Sequence, residues 1–158
     1  MKIRKLKIPF YYQEKSWTCG AASLRMALES LDIKKSENQV VNLLRTNKIR
    51  GSYHKNFPLV AEKFKLSYIV ERNSSIKEIS KLLKDNWILI INYYDKKEKV
   101  DHYVVVNKID KTKIYFNDPW YKEDRNESML LSKFSLIWYD AEKEKRWLFG
   151  LKKQKEEK

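Results

Sequence analysis

The sequence predicts an α+β protein with helices in its first half and antiparallel strands in its second half. Apolar residues recur at helical spacing as far as Leu83, and apolar runs typical of strands follow from Trp87 onward, separated by short polar turns. Helices followed by a set of neighbouring strands are typical of the α+β class. With 158 residues, 42% of them apolar, the chain is long enough for one domain with a buried core.

The predicted helices lie in the first half. Cys19–Leu31 carries alanine, leucine and methionine at helical spacing. Two capping boxes, Ser36 with Gln39 and Ser75 with Glu78, each precede an apolar helical stretch. The other elements predicted before residue 75 are a loop over residues 51–54, a short helix over Pro58–Lys65 and a short strand over Ser67–Glu71.

The second half has the pattern of strands. Trp87–Tyr94 is a buried apolar run, the polar turn Asp95–Lys99 follows it, and His102–Val106 is apolar on both faces, as in a central strand. Lys113–Asp118 is the next strand, and Pro119 ends it. The last predicted elements are a short helix over Leu131–Trp138 and a strand over Arg146–Leu151.

The chain is predicted to form one domain over residues 1–151, with a charged, frayed tail over residues 152–158. Its first seven residues lack the apolar core of a signal peptide, and its longest clean apolar run, Trp87–Ile91, is too short to span a membrane. The single cysteine excludes an intrachain disulfide. We therefore expect a soluble, cytoplasmic protein without a membrane segment.

The net charge of +13 is compatible with a nucleic-acid or anionic-membrane partner. The lysines are spread over predicted turns and the tail, which is typical of a solvated surface. We expect no specific nucleic-acid partner. If the positive charge has a role in recognition, we expect the substrate to be acidic. The sequence does not indicate an oligomeric state.

Four residues form a candidate catalytic set. Cys19 lies where a loop gives way to a helix, and the positive end of the helix dipole favours a thiolate there. Gln13, six residues upstream, can donate an amide N–H to a developing oxyanion. His102 begins an apolar strand and Asp118 ends the next one, an arrangement suited to a general base and the carboxylate that orients it.

Each of these residues also has a purely structural interpretation. A lone cysteine is often an inert buried group, a histidine at a strand end can simply bond to backbone, and Asp before Pro is an ordinary strand end. His54 is the one competing base, because the chain has 2 histidines, and its polar loop indicates no carboxylate partner. Trp17 and Trp120 flank the set in sequence and are predicted to pack structurally.

Other chemistries find little support in the sequence. One cysteine and two histidines provide no recognisable set of metal ligands, so we expect no metal site. The glycine patterns that bind phosphates or dinucleotides are missing, so we expect no cofactor.

The ordered motifs resemble those of a known family. Gln13-x5-Cys19-Gly20-Ala21-Ala22, His102–Val106 and Asn117-Asp118-Pro119 are similar to the motifs of the papain-like cysteine peptidases of the bacteriocin-processing, double-glycine-leader type. The resemblance runs from about Ile8 to about Leu151. Where the family has glycine before the histidine, this chain has Asp101.

The resemblance implies a papain-like fold in which an N-terminal helical half and a C-terminal antiparallel sheet half enclose the active-site cleft. It also implies peptide-bond hydrolysis, with Cys19 as nucleophile, His102 as base and Asp118 as orienter. It places Gln13 at the oxyanion hole. The well-known members are fused to a membrane exporter, and this chain has no such segment, so we expect a stand-alone domain.

The predicted function is therefore that of a cysteine peptidase or amide hydrolase that cleaves a peptide or protein substrate through a thioester intermediate. Two other functions stay open at this stage. An acyltransferase would use the same nucleophile with an amine or thiol acceptor in place of water. A catalytically silent basic module would bind polyanions with a steep dependence on salt.

Overall fold

A computed structural model describes residues 7–123 and 127–155 of the chain. Its helices are α1 (Cys19–Ser30), α2 (Glu37–Leu44), α3 (Phe57–Lys63), α4 (Ile76–Lys84) and α5 (Leu131–Ile137), with a 3-10 turn at His54–Asn56. Its strands are β1 (Leu66–Glu71), β2 (Ile88–Asp95), β3 (Val100–Ile109), β4 (Lys113–Asn117), β5 (Glu127–Leu130) and β6 (Leu148–Lys153). These elements confirm the predicted α+β class.

The six strands form one antiparallel sheet in the order β1-β6-β2-β3-β4-β5. β1 comes from the helical half of the chain and pairs with the last strand, so the two halves of the chain contribute to one sheet. β2 and β3 form a central hairpin in which Tyr93 lies opposite His102. The predicted site residues therefore lie around the middle of the sheet.

Helices cover the sheet on both faces, because the central strands are apolar on both sides. α1, α2 and α3 pack on one face with a core that includes Ile90, Tyr103 and Phe149. α4 and α5 pack on the other face with a core that includes Ile91 and Val104. Since neighbouring residues of a strand point to opposite faces, β3 supplies side chains to both cores.

The predicted helix starts agree with the structure. Ser36 accepts the backbone N–H of Gln39 and Gln39 accepts that of Ser36, which completes the capping box of α2. The Ser75 hydroxyl accepts the backbone N–H of Glu78 at the start of α4. These side chains satisfy N–H groups that the first helical turn leaves unpaired.

One strand was not predicted, and the starts of two predicted strands need correction, since β3 begins at Val100 instead of His102. Strand β5 was not predicted, because Glu127–Leu130 is a short edge strand with a mixed pattern of burial. The last strand begins at Leu148 instead of Arg146, since the left-handed backbone of Arg146 (φ 55°) precedes it. It also continues beyond Leu151.

The tail predicted over residues 152–158 therefore begins later than expected. Lys152 and Lys153 belong to β6, where they pair with Ser67 and Leu66 of β1. The backbone pairing of an edge strand thus overrides the charged composition that suggested a frayed segment. Residues 156–158, like the N-terminal residues 1–6, lie outside the described part of the chain, and the domain limits stay a prediction.

Across residues 7–123 and 127–155, every helix is too short or too polar to cross a lipid bilayer. The cytoplasmic location stays a prediction.

Gly150 provides a test of the sheet packing. A Cβ at this position would lie 2.8 Å from Cγ1 of Ile69 and 3.2 Å from Cδ2 of Leu89, in the two strands that flank β6. We expect Gly150→Ala to lower the free energy of unfolding by about 1–3 kcal/mol through overpacking, measured by urea denaturation. Exposed Glu71→Ala in β1 is the control, with an expected change within about 0.5 kcal/mol. An unchanged urea midpoint for Gly150→Ala would contradict the packing described.

Candidate active site

The first turn of α1 is pressed against the beginning of β3. A Cβ on Gly20 would lie 2.5 Å from Oγ of Ser52 and 3.1 Å from Cδ2 of Tyr103, so only glycine allows this approach. The Ser23 hydroxyl donates to the backbone carbonyl of Tyr103 at 3.1 Å and fixes the contact. Half-buried Cys19, the first residue of α1, is thereby held beside the residue that follows His102.

The surroundings of Cys19 disfavour its thiolate. Burial raises the pKa of the Cys19 thiol to about 11, and the negative charges of Asp101 and Asp118 act in the same direction. The backbone N–H groups of Tyr103 and Gly20 lower this pKa, but their effect is smaller than that of burial. The helix start therefore does not make the thiol acidic, contrary to the sequence-based expectation. Deprotonation at neutral pH needs a base.

His102 lies in β3 with its ring enclosed by aromatic side chains. The side chain is 6% exposed, and its ring centroid lies 5.7 Å from that of Tyr93 and 5.4 Å from that of Trp120. Trp120 is itself 43% exposed, so it covers the imidazole on the solvent side. Charged groups interact more strongly with a covered imidazole than with a hydrated one, because the local dielectric constant is lower.

Asp118 follows β4 and is held from two sides. Its Oδ1 accepts the backbone N–H of Trp120 at 3.0 Å, and its Oδ2 accepts the Tyr93 hydroxyl at 3.1 Å. Burial raises the pKa of the Asp118 carboxyl, whereas the Trp120 N–H and the charge of His102 lower it. Asp118 is thus electrostatically linked both to His102 and to Cys19.

Gln13 reaches this region through its backbone. Its N–H donates to the carbonyl of Pro119 at 2.9 Å, next to Asp118. The buried carboxylate of Glu37 accepts the N–H of Glu14 at 3.0 Å and ties the same loop to α2. The side-chain Nε2 of Gln13 donates to the carbonyl of Lys15, and among the described residues its Oε1 has no hydrogen-bond partner. The amide therefore keeps hydrogen-bonding capacity for a ligand.

Two aspartates near His102 differ from what the sequence suggests. Asp101, its chain neighbour, accepts the backbone N–H of Ala141 at 2.8 Å and is engaged away from the imidazole. Asp95 was assigned to a turn, yet its Oδ2 lies 3.8 Å from Nε2 of His102. The signal that could have revealed Asp95 is the hairpin register, which brings residues 95 and 102 to the same end of two paired strands.

The absence of a carboxylate partner for His54 is a wrong prediction. Nε2 of His54 lies 3.0 Å from Oδ2 of Asp140, and Nδ1 lies 2.7 Å from the hydroxyl oxygen of Tyr103. The ring also stacks on Trp147 at 4.1 Å, and burial lowers the pKa of His54. Since both ring nitrogens are engaged, His54 is a poor base for Cys19.

His54, Asp140 and Glu144 are grouped closely enough to consider a metal ion, with one ligand atom from each within 4.8 Å of the others. Arg72 binds the Glu144 carboxylate, and Oδ1 of Asp140 accepts backbone N–H groups of its own turn. A cation would have to displace a guanidinium and break the His54–Asp140 contact. The group fits a structural hydrogen-bond network better than a metal site.

A groove of about 620 Å³ borders the site on the side of Asp118. Its walls include Tyr93, Phe116 and Met129, and lysines lie along it at positions 96, 97, 113 and 133. Three carboxylates, Asp95, Asp118 and Glu127, also line this groove, whereas Cys19, His102 and Gln13 do not.

Comparisons with known proteins identify the family of the chain and solved structures with a similar fold. The family described as Peptidase_C39 like matches residues 5–146. A C39-like peptidase from Bacillus anthracis has the same fold, with a TM-score of 0.76 and 17% identity over 95% of this chain and 96% of the other. The comparison with curated proteins gave no match.

Two further solved structures are similar. One is a double glycine motif protease from an AMS/PCAT transporter in complex with a leader peptide, with a TM-score of 0.72 and 22% identity over 95% of this chain and 94% of the other. Another is the peptidase domain of Streptococcus ComA, with a TM-score of 0.74 and 18% identity over 94% of this chain and 100% of the other. Since the family match spans most of the sequence, the chain belongs to the Peptidase_C39-like family of cysteine peptidases.

Proposed function

We propose that the protein hydrolyses peptide bonds with Cys19 as nucleophile, His102 as general base and acid, Asp118 as orienter and Gln13 as oxyanion donor. The observation that carries this proposal is the close docking of the α1 start on β3, which sets the half-buried thiol beside the His102–Tyr103 backbone. The charge of His102 lowers the pKa of Asp118, which supports the pairing of these two residues.

The acylation step follows from these roles. His102 takes the proton from Sγ of Cys19, and the sulfur attacks the scissile carbonyl carbon to give a tetrahedral oxyanion. The second N–H of the Gln13 Nε2, beside the one that donates to Lys15, and the N–H groups at the uncapped start of α1 are suited to stabilise this charge. His102 then returns the proton to the leaving amine as the C–N bond breaks, which leaves a thioester on Cys19.

Deacylation uses the same proton transfers, with water as the nucleophile. His102 removes a proton from the water, the resulting hydroxide attacks the thioester, and the C–S bond breaks to release the carboxylic acid. The thiolate of Cys19 recovers its proton from His102. Asp118 stabilises the imidazolium that forms in both steps and keeps the ring oriented.

The substrate is proposed to be a peptide or protein segment. A similar structure binds a leader peptide, and a groove with apolar walls and lysines borders the proposed site here. The net charge of +13 favours acidic segments through electrostatic attraction. Hydrolysis or transfer to an amine is then decided by which acceptor reaches the thioester.

Replacing the nucleophile tests the function. We expect Cys19→Ala to lower cleavage of a mixed peptide library by at least about 10³-fold, with new termini read by mass spectrometry. The substitution should leave the urea midpoint close to that of the wild type, because the thiol is small and half-buried. ¹⁸O-water labels the new carboxylate if water is the acceptor, and an added amine is incorporated if transfer competes. Undiminished cleavage by the Cys19→Ala variant would contradict the assignment of Cys19 as the nucleophile.

Cys19 alkylation as a function of pH tests His102 as the base. Burial disfavours the Cys19 thiolate and raises the pKa of the thiol to about 11, so reaction at lower pH requires a base that takes the proton. We expect wild-type protein to react with iodoacetamide well below pH 9 and His102→Ala to react only as the pH approaches 11, read by intact mass. His54→Gln is the control and should keep the reactivity at low pH. Equal profiles for wild type and His102→Ala would exclude the pair.

Asp118→Asn tests whether the buried carboxylate serves function at a cost in stability. Because the pKa of Asp118 is raised in the fold, its ionisation opposes folding above about pH 4 and has no effect below that. We therefore expect Asp118→Asn to raise the free energy of unfolding at pH 7, but not at pH 3, while peptide cleavage decreases.

Asp110→Asn is the control of opposite sign. Backbone N–H groups of Thr112 and Lys113 lower the pKa of Asp110 to about 2, so its charge favours folding above about pH 4 and this contribution is lost as the pH falls toward 2. We expect Asp110→Asn to be less stable than wild type at pH 7. A loss of stability at pH 7 in Asp118→Asn would contradict the interpretation of Asp118.

A further inference from the structure

His102 has a second acidic neighbour, Asp95, the last residue of β2. Oδ2 of Asp95 lies 3.8 Å from Nε2 of His102. Oδ1 of the same carboxylate accepts the backbone N–H groups of Lys97 and Glu98 at 2.9 and 3.1 Å. The turn therefore fixes the orientation of the carboxylate and leaves Oδ2 directed at the imidazole.

The two carboxylates near His102 are held differently. Asp118 is 4% exposed, and its two oxygens are engaged by the Trp120 N–H and the Tyr93 hydroxyl. The Asp95 side chain is 32% exposed, its Oδ1 accepts the turn N–H groups, and its Oδ2 lies 3.8 Å from the imidazole. The charge of Asp95 also raises the pKa of Asp118 and of Tyr93, so the three groups form one electrostatic cluster.

We propose that Asp95 is a positioning residue for His102, which holds the imidazolium by an ion pair at Nε2 alongside the buried Asp118. The proposal rests on the proposed function only in taking His102 as the base; the ion pair itself is independent of turnover. An opposite charge near 4 Å favours the protonated ring, and a second carboxylate adds to the stabilisation that Asp118 supplies.

The ion pair has a distinctive dependence on salt. A pair that is about a third exposed is screened by ions, whereas buried Asp118 is not. The other titratable groups in or around the cluster include Cys19 from α1, Tyr93 from β2, Asp101 from β3 and Tyr121 from the segment after β4. Of these, Asp101 is bonded to Ala141 and Tyr93 to Asp118. The ion pair of Asp95 with His102 is therefore expected to weaken as the salt concentration rises.

The test is an NMR titration of the histidine rings in the full chain, which has 2 histidines, with His102→Ala assigning the signals. We expect Asp95→Asn to lower the titration midpoint of the His102 ring by about 0.5 pH units at low salt. The difference should shrink at about 0.5 M NaCl, where the Debye length is only a few ångströms. Asp95→Asn keeps an oxygen that can accept the two turn N–H groups, so the hairpin is retained.

Asp110→Asn is the matched control, because Asp110 accepts two backbone N–H groups of its own turn in the same way but contacts Tyr115 instead of histidine. It should leave the His102 midpoint unchanged. Asp95→Ser, whose hydroxyl also accepts turn N–H groups, provides a second variant if Asp95→Asn folds poorly.

The outcomes separate this inference from the proposed function. An unchanged His102 midpoint in both Asp95 variants at low salt overturns the ion pair, even if peptide cleavage is found. A lowered, salt-sensitive midpoint supports the ion pair, even if the protein cleaves none of the peptides offered.

Discussion

The site depends on the contact between the first turn of α1 and the beginning of β3. Gly20 leaves no room for a side chain there, and Ser23 bonds to the backbone of Tyr103. The side chains of two successive residues of β3, His102 and Tyr103, point to opposite faces of the sheet. Tyr103 packs in the core beneath α1, where it contacts His54. The same short stretch of backbone thus anchors the helix that carries Cys19 and presents the imidazole.

The chemistry of the site opposes its stability. Burial raises the pKa values of Cys19, Asp118 and Tyr93, so the charged form of each group is less favoured in the fold than in water. Under the proposed roles, the buried carboxylate of Asp118 is retained because it would stabilise the imidazolium of His102. Buried titratable groups with perturbed pKa values are common at functional sites, where activity is obtained at a cost in stability. The apolar core on both faces of the sheet supplies the stability that this arrangement costs.

Local signals explain which parts of the fold could be predicted from the sequence. The capping residue Ser36 and the apolar strands β2 and β3 depend on neighbours in the chain, so their patterns are visible there. The contact of His54 with Asp140 joins residues 86 positions apart and leaves no local pattern. The acidity of Cys19 was predicted in the wrong direction because a helix start is visible in the sequence, whereas desolvation depends on packing.

Asp95 and Asp110 show how local and tertiary structure divide the control of one residue type. Each aspartate uses Oδ1 to accept two backbone N–H groups in a turn after a strand, which is a local preference of aspartate. The second oxygen then faces whatever the strand register brings near it: the hydroxyl of Tyr115 for Asp110, and the imidazole of His102 for Asp95. Turn chemistry accounts for the residue type at both positions. Only the pairing of β2 with β3 turns one of them into a charge at the candidate base.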